Sequence, residues 1–332
     1  MMNQISLFDG TQKFKIDKPI RLIECFAGYG SQALALKYLG VPFEHHCISE
    51  WAVPSIQAYK DLHHGKDCAD YSIALNGEQL VGYLEGRISS DYSTPMTRAQ
   101  IERKGEAWQR KVYNNMMASK NYGSIMKVHG SQLNITDTDK YCYVLTYSFP
   151  CQDLSSAGKG AGMEKGSGTR SGLLWEVERI LKEVTERPQV LIMENVPEVA
   201  GTKNMPHFAK WLAVLEELGY KTKWGVLNAK EFGVPQNRAR CFAISVLGDY
   251  YYDMPMGYPL EHRLKDMLEK NVDENYYLKE ETIQALNIHK ERHEAQGHGF
   301  GWKPTDGGGY ATTIKTESGY RPDSNFVIEK SR

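Results

Sequence analysis

The sequence predicts an α/β protein, a mostly parallel sheet with helices on both faces, joined to a smaller second domain. Three observations carry the prediction. From residue 19 to residue 248, short runs rich in β-branched and aromatic residues alternate with stretches of helical periodicity, except across one long polar interval. The first run ends in a glycine turn, GYGS, that opens directly into a helix. After Asp249 the rhythm breaks into YYYDMPMGYP, one charged amphipathic piece, a histidine-rich stretch and the glycine run Gly307 to Gly309. The 332 residues, 41% of them apolar, suffice for one substantial core and a smaller partner.

Each element has a local reason. PIRLIECFA, from Pro19, is a strand; SQALALKYLG is a helix with Ala33, Leu34, Leu36 and Leu39 apolar and Gly40 at its end. Phe43 to Glu50 is a second strand and AVPSIQAYKDLHH a second helix, so the chain already reads β-α-β-α. From about residue 65 to residue 128 it is polar and tyrosine-rich, without this rhythm; the stretch reads as an insertion, helical at best in its later half. Tyr141 to Phe149 is a strand of aromatic and β-branched residues, stopped by Pro150. A glycine- and serine-rich loop over 152–170 carries Lys159, Lys165 and Arg170 and leads into the helix SGLLWEVERILKEVTE. Then follow the strand PQVLIMENV, the helix NMPHFAKWLAVLEELG, and the strands YKTKWGVLNA and RCFAISVLG. The expected organisation is an N-terminal extension over 1–18, a main domain over 19–248 interrupted by the insertion, and a small domain over 249–332.

Composition narrows the function classes. A net charge of −1 neither assigns nor excludes a nucleic-acid partner, so only local charge matters. Thr97 to Lys127 holds seven Lys or Arg against two Glu, with Trp108, Tyr113 and Tyr122 interleaved. It reads either as a solvated helical face with packing aromatics or as a surface for backbone phosphates. The six cysteines form no C-x-x-C pair, which sets aside a disulfide framework or zinc ribbon; His63, His64 and Cys68 read as surface residues, and no metal is expected. No apolar stretch approaches the roughly 18 to 20 residues of a membrane span, and the polar start has no signal-peptide core; the expected place is the cytoplasm, away from membranes.

Four stations carry chemistry. Gly28 and Gly30, after the first strand, let the backbone turn tightly and bring a helix N-terminus close to a ligand. Glu50, at the end of the second strand, is placed to take ribose hydroxyls, with Trp51 beside it to stack on an adenine; together they fit an adenosine-bearing cofactor. Cys151 follows Pro150 on a rigid turn at a strand's carboxyl end, where open α/β sheets keep their chemistry, and a thiol there is a candidate nucleophile. Glu194 ends another strand at the same edge as a candidate proton donor, and Arg238 and Arg240 alternate at the start of a strand, facing one way.

In this order, FAGYG, Glu50-Trp51, FPCQ, ENV and QNRAR resemble the sequence blocks of the cytosine-C5 DNA methyltransferases, over roughly 19–248 apart from the insertion. The resemblance implies a Rossmann-like S-adenosylmethionine-dependent methyltransferase fold, with a seven-stranded, mostly parallel sheet and a small, incomplete target-recognition domain. It implies that Phe26, Gly28, Gly30, Pro150 and Leu174 line the S-adenosylmethionine site, with Glu50 on the ribose and Trp51 against the adenine. It makes Cys151 the nucleophile toward carbon 6 of a flipped cytosine, Glu194 the partner of ring nitrogen 3 and the exocyclic amine, and Arg240, with Arg238 beside it, the contact to oxygen 2. The implied protein is a DNA (cytosine-5)-methyltransferase of a bacterial or phage restriction-modification or orphan system, a monomer on double-stranded DNA in the cytoplasm. Competing expectations are a tRNA-directed member of the same family and a non-catalytic DNA-binding remnant. Three departures stand out: Ser31 replaces the third glycine of the first turn; Ser131-Gln132 stand where an acidic residue meets the adenine, with Asp137 and Asp139 out of step; and the closing Gly-Asn-bearing block is absent. The chain is therefore expected to be a fragment of a longer or split enzyme, with a separate C-terminal fragment or subunit as partner, the alternative being that it has lost those parts.

Overall fold

Strand residues alternate between two buried faces, which is what a sheet covered by helices on both sides requires. The computed structural model describes residues 12–154, 162–297, 301–314 and 325–329. A short strand β1 (Gln12–Lys13) precedes β2 (Ile20–Cys25), helix α1 (Ser31–Tyr38), β3 (Phe43–Ser49) and α2 (Val53–His64). The inserted stretch forms α3 (Gly77–Leu84), α4 (Arg98–Arg103) and α5 (Glu106–Ala118). Then come β4 (Cys142–Tyr147), α6 (Leu174–Glu183), β5 (Val190–Asn195) and α7 (Met205–Glu217). The strands β6 (Tyr220–Asn228), β7 (Ala239–Leu247) and β8 (Tyr250–Tyr251) precede α8 (Glu280–Ala295).

The main sheet runs β3-β2-β4-β5-β7-β6, while β1 and β8 pair separately. β2 lies parallel to β3 and β4, β4 is parallel to β5, and β7 joins β5 antiparallel. Among the described residues this sheet has six strands, where the family resemblance implies seven. Beyond β3, among the described residues, the insertion adds the parallel bridges Ile48 to Asn121 and Ala52 to Ser89. Tyr143, Leu145 and Tyr147 of β4 turn to one side with Ile23, Cys25, Leu191 and Met193, against Trp175 and Val177 of α6 and Phe208 and Trp211 of α7. Cys142 and Val144 turn to the other side with Ile20, Leu22 and Ala33.

The insertion is helical earlier than its composition suggests. Asn76 caps α3, accepting from Gln79 N at 2.9 Å, while Gln79 Oε1 returns a bond to Asn76 N at 3.0 Å. Leu80, Val81 and Leu84 then bury against Ile101, Val112 and Met116 in a small core of their own. That apolar face is three residues wide, which is why a polar, tyrosine-rich reading hid it.

The described residues fall into two compact units. Those within 1–225 and 241–254 form the first; those within 226–240 and 255–332 form the second, so the segment 226–240 groups with the later part of the chain. Inside the second unit, Gln236 bridges Ala311, Thr305 bridges Val327, and Leu264 N donates to Gly309 O at 2.9 Å. Helix α8 buries Leu286 and is otherwise largely solvent-facing.

Candidate active site at the carboxyl edge of the sheet

Register places the candidate residues. Cys25 pairs with Ser49 and with Tyr147, and Tyr147 pairs with Met193, so β3, β2, β4 and β5 finish level at one edge. Phe26, Glu50 and Glu194 each come one residue after that line, and Cys151 four residues after Tyr147. The turn after β2 uses left-handed backbone at Phe26 (φ 58°), Gly28 (φ 56°) and Gly30 (φ 81°). A Cβ at Gly30 would sit 2.3 Å from His63 Nε2 and 2.7 Å from the Tyr59 ring, whereas one at Gly28 would meet nothing within 4 Å. The first glycine therefore borders open space, and the second is where α1 packs onto α2.

Glu50 ties this turn to the end of β3. Its Oε2 accepts from Gly28 N at 2.8 Å and its Oε1 from Ala52 N at 2.6 Å. The side chain is buried, and burial pushes the carboxyl up to about 7 against the lowering effect of those N–H donors. Trp51 is half-buried beside it. A buried carboxylate next to a turn that opens into free space suits a nucleoside with a ribose diol. His63 is half-buried, its Nε2 2.9 Å from Tyr29 O and its Nδ1 2.9 Å from Lys37 Nζ, under the same turn. Cys68 is exposed.

The turn bearing Cys151 is fixed by two buried side chains. Asn195 Nδ2 donates to Phe149 O at 2.9 Å, and Ser171 Oγ donates to Pro150 O at 2.7 Å. The two carbonyls preceding Cys151 are thus both held, one from the end of β5 and one from the turn before α6. Asp153 adds a brace: Oδ2 accepts from Arg170 N at 2.8 Å, Oδ1 pairs with Arg170 Nη2 at 3.2 Å, and its carbonyl accepts from Gly162 N at 2.9 Å. Cys151 itself is half-buried. Cys25, Cys47, Cys142 and Cys241 are buried, and burial raises each of their thiols above the ordinary value. Of the loop's basic residues, Lys165 bonds buried Glu178 at 2.5 Å and Arg170 pairs with Asp153; Lys159 lies outside the described residues. Leu174 is fully buried at the start of α6, in the main core.

Glu194 is half-buried on β5, with Phe242 as its register partner. The first unit thus gathers Phe26, Gly28, Gly30, Glu50, Trp51, Pro150, Cys151 and Glu194 along one edge of its sheet. Arg238 and Arg240 belong to the second unit, where Arg238 N donates to Asn228 Oδ1 at 3.0 Å and Arg240 Nη1 to Ala239 O at 2.7 Å. Asp137 is engaged at the opposite end of the strands, both oxygens 3.0 Å from Arg21 Nη1 and one accepting from the Tyr143 hydroxyl at 2.5 Å. Sequence reasoning missed Asn195, Ser171 and Asp153 as positioning groups. Asn195 stood inside the ENV block, but no periodicity links 153, 171 and 195.

Comparison with known proteins adds a further finding. The family pattern described as C-5 cytosine-specific DNA methylase matches residues 94–331. The chain is 38% identical over 267 residues to the type II methyltransferase M2.ScrFI of Lactococcus lactis subsp. cremoris, covering 80% of this chain and 71% of that one. It is 37% identical over 261 residues to the orphan methyltransferase M.SssI of Spiroplasma monobiae, covering 77% and 67%. Among solved structures, the Dnmt2 methyltransferase of S. pombe superposes with a TM-score of 0.50 at 18% identity, over 82% of this chain and 66% of that chain. A triple mutant of Spodoptera frugiperda DNMT2 gives 0.51 at 15%, over 88% and 69%. The two structural likenesses bear on the fold alone; this chain spans about two thirds of each of these four proteins.

Proposed function

The chain belongs to the C-5 cytosine-specific DNA methylases, and on that premise we propose that it transfers a methyl group from S-adenosylmethionine to carbon 5 of cytosine in double-stranded DNA. The observation that carries the reading is Cys151, a half-buried thiol on a turn held from both sides, at the same sheet edge as Glu50 and Glu194. Glu50 holds the ribose of the methyl donor, Trp51 stacks on its adenine, and the open space beside Gly28 admits it. When bound, S-adenosylmethionine supplies an electrophilic methyl group on a sulfonium.

The chain's own residues do the rest. Carbon 5 of cytosine is a weak nucleophile. The Cys151 thiolate adds to carbon 6, which makes carbon 5 enamine-like, and Glu194 places a proton at ring nitrogen 3 while hydrogen-bonding the exocyclic amine. Arg240, with Arg238 beside it, contacts oxygen 2. After transfer, which leaves the donor as its neutral thioether, the carbon-5 proton leaves to a base, the bond to Cys151 breaks, the proton on ring nitrogen 3 returns to Glu194, and the thiolate is regenerated. The target atoms are inaccessible inside a duplex, so the cytosine is flipped out of the stack. The second unit reads the target sequence, and the setting is a restriction-modification or orphan modification system.

Label transfer tests the reading. Incubating the chain with S-adenosylmethionine carrying a labelled methyl group is expected to label duplex DNA, at positions mapped by bisulfite sequencing, and to leave tRNA unlabelled. Label on tRNA alone would assign the tRNA-directed alternative. No label on either, with the cofactor bound and a C-terminal complement supplied, would favour a non-catalytic binder.

A further inference from the structure

The stretch from Ile48 to Val53, which delivers Glu50, is bonded along its length by the helical insertion. Ile48 N donates to Lys120 O at 3.1 Å and Ile48 O accepts from Tyr122 N at 3.0 Å; Trp51 O accepts from Ser89 N at 2.7 Å, and Val53 N donates to Ser89 O at 2.9 Å. Between these lies the Asn121 side chain, 1% exposed. Its Oδ1 accepts from Glu50 N at 3.0 Å and from Gly123 N at 2.8 Å, and its Nδ2 donates to Glu50 O at 2.9 Å. Ser49 Oγ adds a bond to Gly123 O at 2.7 Å. The insertion has no slack there: a Cβ on Gly123, whose φ is +78°, would lie 2.5 Å from Arg87 O.

Two of the insertion's arginines are engaged within it. Arg98 pairs with Glu78, Glu85 and Glu102. Arg110 pairs with Glu106 and donates to Ser72 O at 2.7 Å and Leu75 O at 2.8 Å. Toward the stretch 48–53 the insertion presents neutral main-chain groups and the Asn121 amide.

We propose that Asn121 is a positioning residue of the methyl-donor site, through which the inserted helices fix Glu50 and Trp51 at the height the nucleoside requires. One buried amide satisfies both main-chain groups of Glu50. Without it those groups recover partners only if the backbone shifts, and the carboxylate moves with the backbone. The inference rests on the assignment of Glu50 to the ribose of the donor.

The test compares four forms of the whole chain by calorimetric titration with S-adenosylhomocysteine, alongside thermal unfolding. Asn121→Ala is expected to weaken binding roughly tenfold, the scale of one or two buried hydrogen bonds lost. Gln109→Ala breaks a buried bond to Ile101 O, 3.1 Å, in the same helical unit without touching 48–53; it is expected to lower the melting temperature comparably and leave the affinity within about twofold. Should Asn121→Ala not fold, Asn121→Ser is measured in its place. Unchanged affinity in the Asn121 variant, or an equal loss in Gln109→Ala, overturns the inference. Glu50→Ala separates the underlying assignment: if it binds as tightly as the parent, the assignment of Glu50 fails; if it binds weakly while the Asn121 variant does not, only the role of Asn121 fails.

Discussion

Glu50 meets two backbone N–H groups with its two oxygens and still carries a carboxyl pushed up to about 7 by burial. Its folded value lies above the ordinary 4.5, so the folded chain keeps a proton that the unfolded chain has released. Glu50 thus contributes stability that is fully present below 4.5 and is lost as pH rises through 7. Cofactor binding runs the other way. A ribose diol donates hydrogen bonds and is best met by the carboxylate, so binding below 7 requires release of this proton. Affinity for S-adenosylhomocysteine is expected to fall as pH drops from about 8 to about 6, by up to about tenfold per pH unit, with proton release in the calorimeter. Glu50→Gln is expected to bind weakly and without that slope; a parent affinity flat across the window would contradict the role given to Glu50. Cys151 calls for a different readout. Cys151→Ser is expected to lose methyl transfer by on the order of a thousandfold or more while binding cofactor unchanged.

At the scale of elements, the turn after β4 and the turn after β2 each depend on a contact that local pattern does not encode. Ser171→Ala removes the donor to Pro150 O; the expected result is a slower reaction, a stability loss of about 1–3 kcal/mol and an unchanged cofactor affinity, checked by single-turnover kinetics and denaturant unfolding. Gly30→Ala places a methyl group against His63 and Tyr59 in left-handed backbone, with an expected cost of about 1–3 kcal/mol by denaturant unfolding and weaker cofactor binding. The six strands of the main sheet and the helices between them were legible in the sequence because alternation and helical spacing are imposed by burial itself. The placements of Glu50 and Cys151 were legible because residues just past a buried strand lie at the sheet edge, and that of Glu194 because it stands near the carboxyl end of β5. Helix α3 was not, since its apolar face is only Leu80, Val81 and Leu84 in a polar context. The side chains that clamp backbone carbonyls, Asn195, Ser171 and Asn121, were not either: a hydrogen bond between residues 46, 21 and 71 positions apart leaves no periodic trace.

At the scale of the whole molecule, the two units divide the labour in the proposed function. The first holds the cofactor turn, the thiol and Glu194; the second holds Arg238, Arg240 and the stretch proposed to read bases. The insertion belongs to the first unit and is bonded to the stretch that carries Glu50. The central claim is that Cys151 attacks carbon 6 of a cytosine, and covalent trapping tests it most directly. The chain is mixed with duplex DNA carrying 5-fluorocytosine and with S-adenosylmethionine, and the product is digested and mapped by mass spectrometry. Fluorine at carbon 5 blocks the final proton loss, so the account predicts a denaturant-stable protein–DNA adduct on the peptide containing Cys151, absent from Cys151→Ser. No adduct from a chain that binds the cofactor, with a C-terminal complement supplied, or an adduct on any other cysteine, would contradict it.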